Sequence, residues 1–185
     1  MAKNAASLVT NKLPQMLKGV NKLAVKATYV GVPSEKTERK EDDEEKTPMT
    51  NAALAFIHDN GSPAAHIPAR PFMRPGIKKA QAKIVAALRG GAIGVLKGQD
   101  PERALNIAGM AAQASIRGHI NEGIAPPLAD STLRGRIRNK TSVKGAKKEL
   151  ADRAAGAAPG VQNAKPLIAT AQLRNAINYV IRRNK

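Results

Sequence analysis

The spacing of apolar residues changes several times along this chain, and each change predicts an element. Over residues 4–22, Leu8, Leu13, Leu17 and Val20 recur at helical intervals, with Pro14 expected to kink or restart the helix. From Leu23 the period falls to two. Leu23, Val25, Ala27, Tyr29 and Gly31 alternate with Lys22, Ala24, Lys26, Thr28 and Val30, which predicts a strand ended by Pro33. Residues 34–50 then carry 11 charges and no large apolar side chain before Met49, so a mobile acidic loop is expected there.

Beyond the loop, Thr50 or Asn51 can cap a short helix through Leu54, Phe56 and Ile57, closed by the turn signal Asp59-Asn60-Gly61. Ile77, Ala80, Ile84, Ala87 and Leu88 repeat at three and four, predicting a helix from Gly76 to about Lys97 that Gly90-Gly91 should weaken or bend. Asp100-Pro101-Glu102 is a strong helix start: a cap, a proline at the first position and an acid near the positive dipole end. That helix runs to about Glu122, and its face of Leu105, Ala108, Ala112, Ile116 and Ile120, with Gly109 beside it, permits close approach. Gly123 is a stop, and Ala125-Pro126-Pro127 an extended exit. Asp130 to Leu133 can cap one further turn, but residues 134–165 read as a basic, flexible segment. Ile177, Tyr179 and Ile181 alternate with polar or smaller neighbours, predicting a C-terminal strand able to pair with Val25 to Val30. The expected architecture is one α+β domain over residues 1–185, a small antiparallel sheet with packed Ala-rich helices and long charged loops.

Composition thins the core. Leu, Ile, Val and Phe number 38 of 185 residues, close to the ~20% below which highly charged chains tend toward disorder. Alanine buries little area, so burial against other copies is expected to complete the fold. Net charge is +17, and residues 34–50 hold a net of −3, leaving a basic body with one acidic loop. Such a body favours phosphate backbones, anionic lipid heads or acidic protein surfaces. There is no cysteine, which excludes disulfide and thiol chemistry. No run approaches the ~20 apolar residues of a membrane span, and the N-terminus lacks the apolar core of a signal peptide, so synthesis in a host cytoplasm without membrane contact is expected.

Residues 60–76 hold four prolines and two arginines. Each proline fixes its own φ and biases its predecessor toward extended geometry, so a stiff strap is expected that cannot coil until after Pro75. Arg70 and Arg74 on such a strap either reach a neighbouring subunit, with Ile67, Phe72 and Met73 as anchors, or brace the chain internally.

The strap Asn60-Gly61-Ser62-Pro63-Ala64-Ala65-His66-Ile67-Pro68-Ala69-Arg70-Pro71-Phe72-Met73-Arg74-Pro75-Gly76, followed by an Ala-rich helix and by Lys165 to Ile177, resembles the neck or tail-completion proteins of tailed bacteriophages. The resemblance covers residues 51–185. It departs from the family in two places: Ala171 stands where the pattern usually reads Thr-Gly-Gln-Leu, which disfavours a positive-φ turn, and the stretch from Thr132 to Lys165 is longer than expected. The resemblance implies a structural virion protein without catalytic residues or cofactors, forming a cyclic homo-oligomer of about six or twelve copies at the head-tail junction. It implies docking on portal-side connector and tail terminator or tail tube proteins, with Leu173 and Arg174 joining the strap residues at subunit interfaces, and a passing contact with genomic DNA.

Other chemistry is sparse. His58, His66 and His119 sit on separate elements without metal-ligand spacing, and His58, Asp59 and Ser62 supply the residue types of a nucleophilic triad without its geometry. Gly90, Gly91, Gly94 and Gly98 lack the Gly-Lys-Ser/Thr of a phosphate loop. Glu41 to Glu45 lacks the spacing and glycine of a calcium loop. Arg134, Arg136, Arg138, Lys140, Lys144, Lys147 and Lys148 form a basic cluster without interleaved aromatics, which argues against base stacking but allows contact with DNA phosphates or with an acidic surface, including the Glu41 to Glu45 run of an adjacent copy. A non-specific DNA-binding module is therefore the alternative to a joining protein.

Overall fold

The computed structural model describes residues 3–33 and 49–184, with residues 3–12 described by their backbone alone. Most of the expected acidic loop, residues 34–48, lies outside the described residues. The fold is α+β: seven α-helices among the described residues and one two-stranded antiparallel sheet. In order these are α1 (Lys3–Ala24), β1 (Lys26–Gly31), α2 (Asn51–Asn60), α3 (Met73–Leu96), α4 (Pro101–Glu122), α5 (Asp130–Arg138), α6 (Val143–Ala154), α7 (Gln172–Ala176) and β2 (Asn178–Arg183). The chain divides into two compact units, one comprising Met1–Val30, Ala80–Ala112 and Tyr179–Lys185, the other Gly31–Lys79 and Gln113–Asn178.

The first unit is built on small residues. Among the described residues its buried apolar ones are Ala80, Val95, Ala104, Leu105, Ala108 and Ala112. A methyl group on Gly91 would overlap the Ala104 side chain, so the Gly90-Gly91 pair does not break α3 but lets α3 and α4 approach. The two strands predicted to pair do so, and they lie against α4. Thr28 Oγ1 donates to the Leu105 carbonyl at 3.1 Å, the Tyr179 hydroxyl donates to Asn106 Oδ1 at 3.1 Å, and the Tyr179 ring occupies the space a side chain at Gly109 would fill. Lys26 pairs with Glu102 at the start of α4. Helix α1 continues through Pro14 rather than restarting there.

The second unit fills its interior with large side chains: Phe72, Ile116, Ile120, Leu133 and Ile177 are fully enclosed. Helix α2 is capped as expected, with Thr50 Oγ1 accepting from Ala53 N at 3.2 Å and Gly61 closing it at φ 80°. The strap departs from expectation. Pro63–Ala65 form a 3-10 turn, His66 adopts a left-handed conformation, and Ser62 pairs with Ile67 in an antiparallel bridge, so its first part is a closed loop. Its end is helical, because α3 starts at Met73 and takes Pro75 into its first turn. Proline is tolerated there since the first amides of a helix have no intrahelical acceptor. Two backbone donors at this start are met from a distance: Asp59 Oδ1 accepts from Phe72 N at 2.7 Å and Met73 N at 3.0 Å.

Residues 134–154, expected to be flexible, instead complete α5 and form α6. Leu133 and Ile137 on α5 pack with Ala146 and Leu150 on α6, over Leu128 and Ala164. Lys140 and Ser142, both at positive φ, make the turn between the helices, and Thr141 N bonds back to the Arg136 carbonyl at 2.8 Å. Glu149 locks the pair. Its Oε1 accepts from Arg153 Nε at 3.0 Å and from Gly160 N at 2.7 Å, and its Oε2 accepts from Asn163 Nδ2 at 3.0 Å. Arg153 also reaches Asp130 at the start of α5.

Candidate functional site

The strap and the C-terminal block, a hundred residues apart in sequence, meet inside the second unit. They line a cavity of about 390 Å³ together with α5: Arg70 comes from the strap, Arg136 from α5, and Leu167, Ala169 to Leu173 from the C-terminal block. Three local conformations place these groups. Asp59 holds the chain after Arg70 by capping α3. Leu133 and Ile137 orient α5 so that Arg136 shares their packed side. Ala171 enters a left-handed conformation (φ 60°, ψ 4°) immediately before α7, so the positive-φ turn that the absent glycine disfavoured is made by alanine all the same.

Arg70 is 6% exposed and Arg136 8% exposed. Arg70 Nε donates to the Pro126 carbonyl at 2.9 Å and Nη2 to the Pro127 carbonyl at 3.2 Å, while Arg136 Nη1 donates to the Lys165 carbonyl at 3.1 Å. Burial holds Arg70 below the ordinary arginine pKa; burial, and then the positive charge of Arg70, does the same to Arg136. Neither guanidinium pairs with a carboxylate among the described residues, and no aspartate or glutamate lines the cavity. Both remain cationic, since arginine does not deprotonate at neutral pH.

Sequence-predicted interface residues divide between inside and outside. Arg70, Phe72 and Leu173 are buried, so on the strap the internal brace describes Arg70 and Phe72. Ile67 and Met73 are half-buried, Arg74 is exposed, and Arg174 donates to Asn121 Oδ1 at 3.0 Å. The basic cluster is brought together on the α5–α6 hairpin apart from Arg136, which turns inward. Arg134, Arg138, Lys140, Lys144, Lys147 and Lys148 are exposed, and none forms an ion pair among the described residues. Of the triad types, Asp59 is occupied as the α3 cap. Among the described residues no cluster of three or more His, Cys, Asp or Glu could hold a metal ion, and no helix is long and apolar enough to cross a membrane.

Two features escaped sequence reasoning. Arg136 lies three residues after Leu133 and one before Ile137, a spacing that marks the packed side once residues 130–138 are seen as helix. Glu149 and Arg153 stand at i and i+4 in the orientation that favours a helical ion pair, a signal hidden by the surrounding lysines. The chain has no significant match among protein-family models, curated proteins or solved structures.

Proposed function

We propose that this chain is a non-enzymatic structural protein of a tailed-phage virion, a homomeric ring at the head-tail junction that joins the portal-side connector to the tail. The observation that carries the assembling role is the apolar surface of the first unit. Leu13, Leu17 and Val20 follow one another on α1, Val85, Leu88 and Leu96 on α3, and Ile107 and Met110 on α4, each 37% to 60% exposed. Stripes of this kind on a soluble protein mark surfaces that other chains cover. Repeated around a rotation axis, heterologous contacts close into a ring. The head-tail location rests on the resemblance of the strap and C-terminal block, whose meeting around one cavity supports treating them as a single structural device.

The exposed cations of the α5–α6 hairpin favour a second reading, a non-specific DNA-binding module. Cryo-electron microscopy of particles made by cells expressing this protein with its neighbouring genes separates the two. Ring density between head and tail is the expected result. Mature particles lacking the protein, with the purified chain coating DNA in a salt-sensitive way, would replace the first reading by the second.

A further inference from the structure

We propose that the cavity between Arg70 and Arg136 binds a doubly charged oxyanion of the phosphate class. Buried charges in proteins are paired or coordinated, because an unpaired ion forfeits its hydration without return. Here two like charges line one cavity, each more than nine-tenths buried, with carbonyl oxygens as the only partners of their guanidinium groups among the described residues. A guanidinium carries five N–H donors. The three bonds to carbonyls leave most of the donors on the two groups uncommitted, and both groups line the same 390 Å³ space.

The remaining lining identifies the ligand class. Thr132, Thr170 and Asn139 bring hydroxyl and amide donors to the cavity, whereas among the described residues no carboxylate does. Two planar forks of opposite origin, one from the strap and one from α5, match an anion with several oxygens and two charges better than a monocarboxylate. Bound there, the anion would neutralise the repulsion between the arginines and tie the strap to α5 and the C-terminal block. None of this depends on the joining role, and the site would operate equally in a DNA-binding module.

The test uses the full chain, its melting temperature followed in sodium phosphate, sodium acetate and sodium chloride at equal ionic strength and pH. Phosphate well above its dissociation constant should raise Tm by about 2–4 °C over chloride, with acetate close to chloride. Arg136→Met should lose the phosphate-specific rise, and Arg136→Lys should weaken binding about tenfold. Arg89→Gln, which removes one exposed charge from α3, should keep the full rise. Equal melting in phosphate and chloride overturns the proposal, as does an undiminished rise in Arg136→Met. An equal rise in acetate overturns the phosphate class. If Arg136→Met does not fold, broadening of the inorganic phosphate 31P resonance by the wild-type chain, and its reduction in Arg136→Lys, decides the matter; no broadening by the wild type overturns it.

Discussion

The first unit buries mostly alanine and leaves large aliphatic side chains outside, while the second encloses phenylalanine, isoleucine and leucine and ties its loops with buried polar groups. Ala80, Ala104, Ala108 and Ala112 dominate the one interior; Phe72, Ile116, Ile120, Leu133 and Ile177 fill the other. Burial of a large side chain contributes roughly 1.5–3 kcal/mol, and an alanine far less. The second unit buries most of its large apolar groups within itself, leaving Met49, Phe56 and Ile77 exposed. The first, among its described residues, leaves more of its larger apolar groups on the surface, as the proposed assembly requires.

The sharpest break of this contrast is a substitution on the first unit's exposed stripe. Leu88→Gln should abolish self-association in analytical ultracentrifugation while costing the monomer about 1 kcal/mol, since Leu88 is only 37% exposed. Association that survives unchanged would remove Leu88 from the interface. In the second unit the effect reverses: Phe72→Ala should cost about 3–5 kcal/mol in urea denaturation with no direct effect on assembly contacts.

Next in size is the polar lock on the hairpin. The Gly160 amide first, then Asn163 and Arg153, hold the Glu149 carboxyl below its ordinary value of 4.5, against the opposing effect of burial. A depressed carboxyl pKa contributes stability that is complete above the unfolded value and is lost as pH falls through the folded one. Glu149→Gln should therefore cost about 2 kcal/mol at pH 7, and the difference from wild type should shrink as the pH drops below about 4.5. A gap between the two proteins that stayed constant down to pH 3 would show that ionisation of Glu149 is not what matters.

The smallest expected effect is a gain. Ala171 stands at φ 60°, where an L-residue is strained by its Cβ. Ala171→Gly should stabilise the chain by about 0.5–1 kcal/mol, the relief of strain exceeding the extra freedom of glycine in the unfolded chain. A loss of stability in thermal melts would mean that the alanine methyl makes a contact worth more than the strain.

What could be read from the sequence follows the range of the interactions. Helix α2 with its Thr50 cap, helix α4 with Asp100-Pro101-Glu102, and the pairing of β1 with β2 all rest on signals within a few residues or on strict alternation. The strap failed at its end because the cap for α3 is Asp59, fourteen positions before Met73, and no local pattern announces it. The hairpin failed because seven cations mask a core of only Leu133, Ile137, Ala146 and Leu150, although these four stand at i and i+4 within each helix. Reaching and bracing stay open for Arg70 in the sequence because its acceptors, the carbonyls of Pro126 and Pro127, lie more than fifty residues away. The pairing of Arg70 with Arg136 at one cavity is a tertiary fact of the same kind.

The packing of Tyr179 over Gly109 has an optical consequence. The chain has no tryptophan and two tyrosines, Tyr29 and Tyr179, which stand on β1 and β2 within the first unit, whereas Phe56 and Phe72 belong to the second. Excited near 275 nm, the protein emits from the first unit alone. Tyrosine anisotropy and quenching then follow that unit without any label, and a melt recorded by emission and by far-ultraviolet circular dichroism gives separate readings of where order is lost.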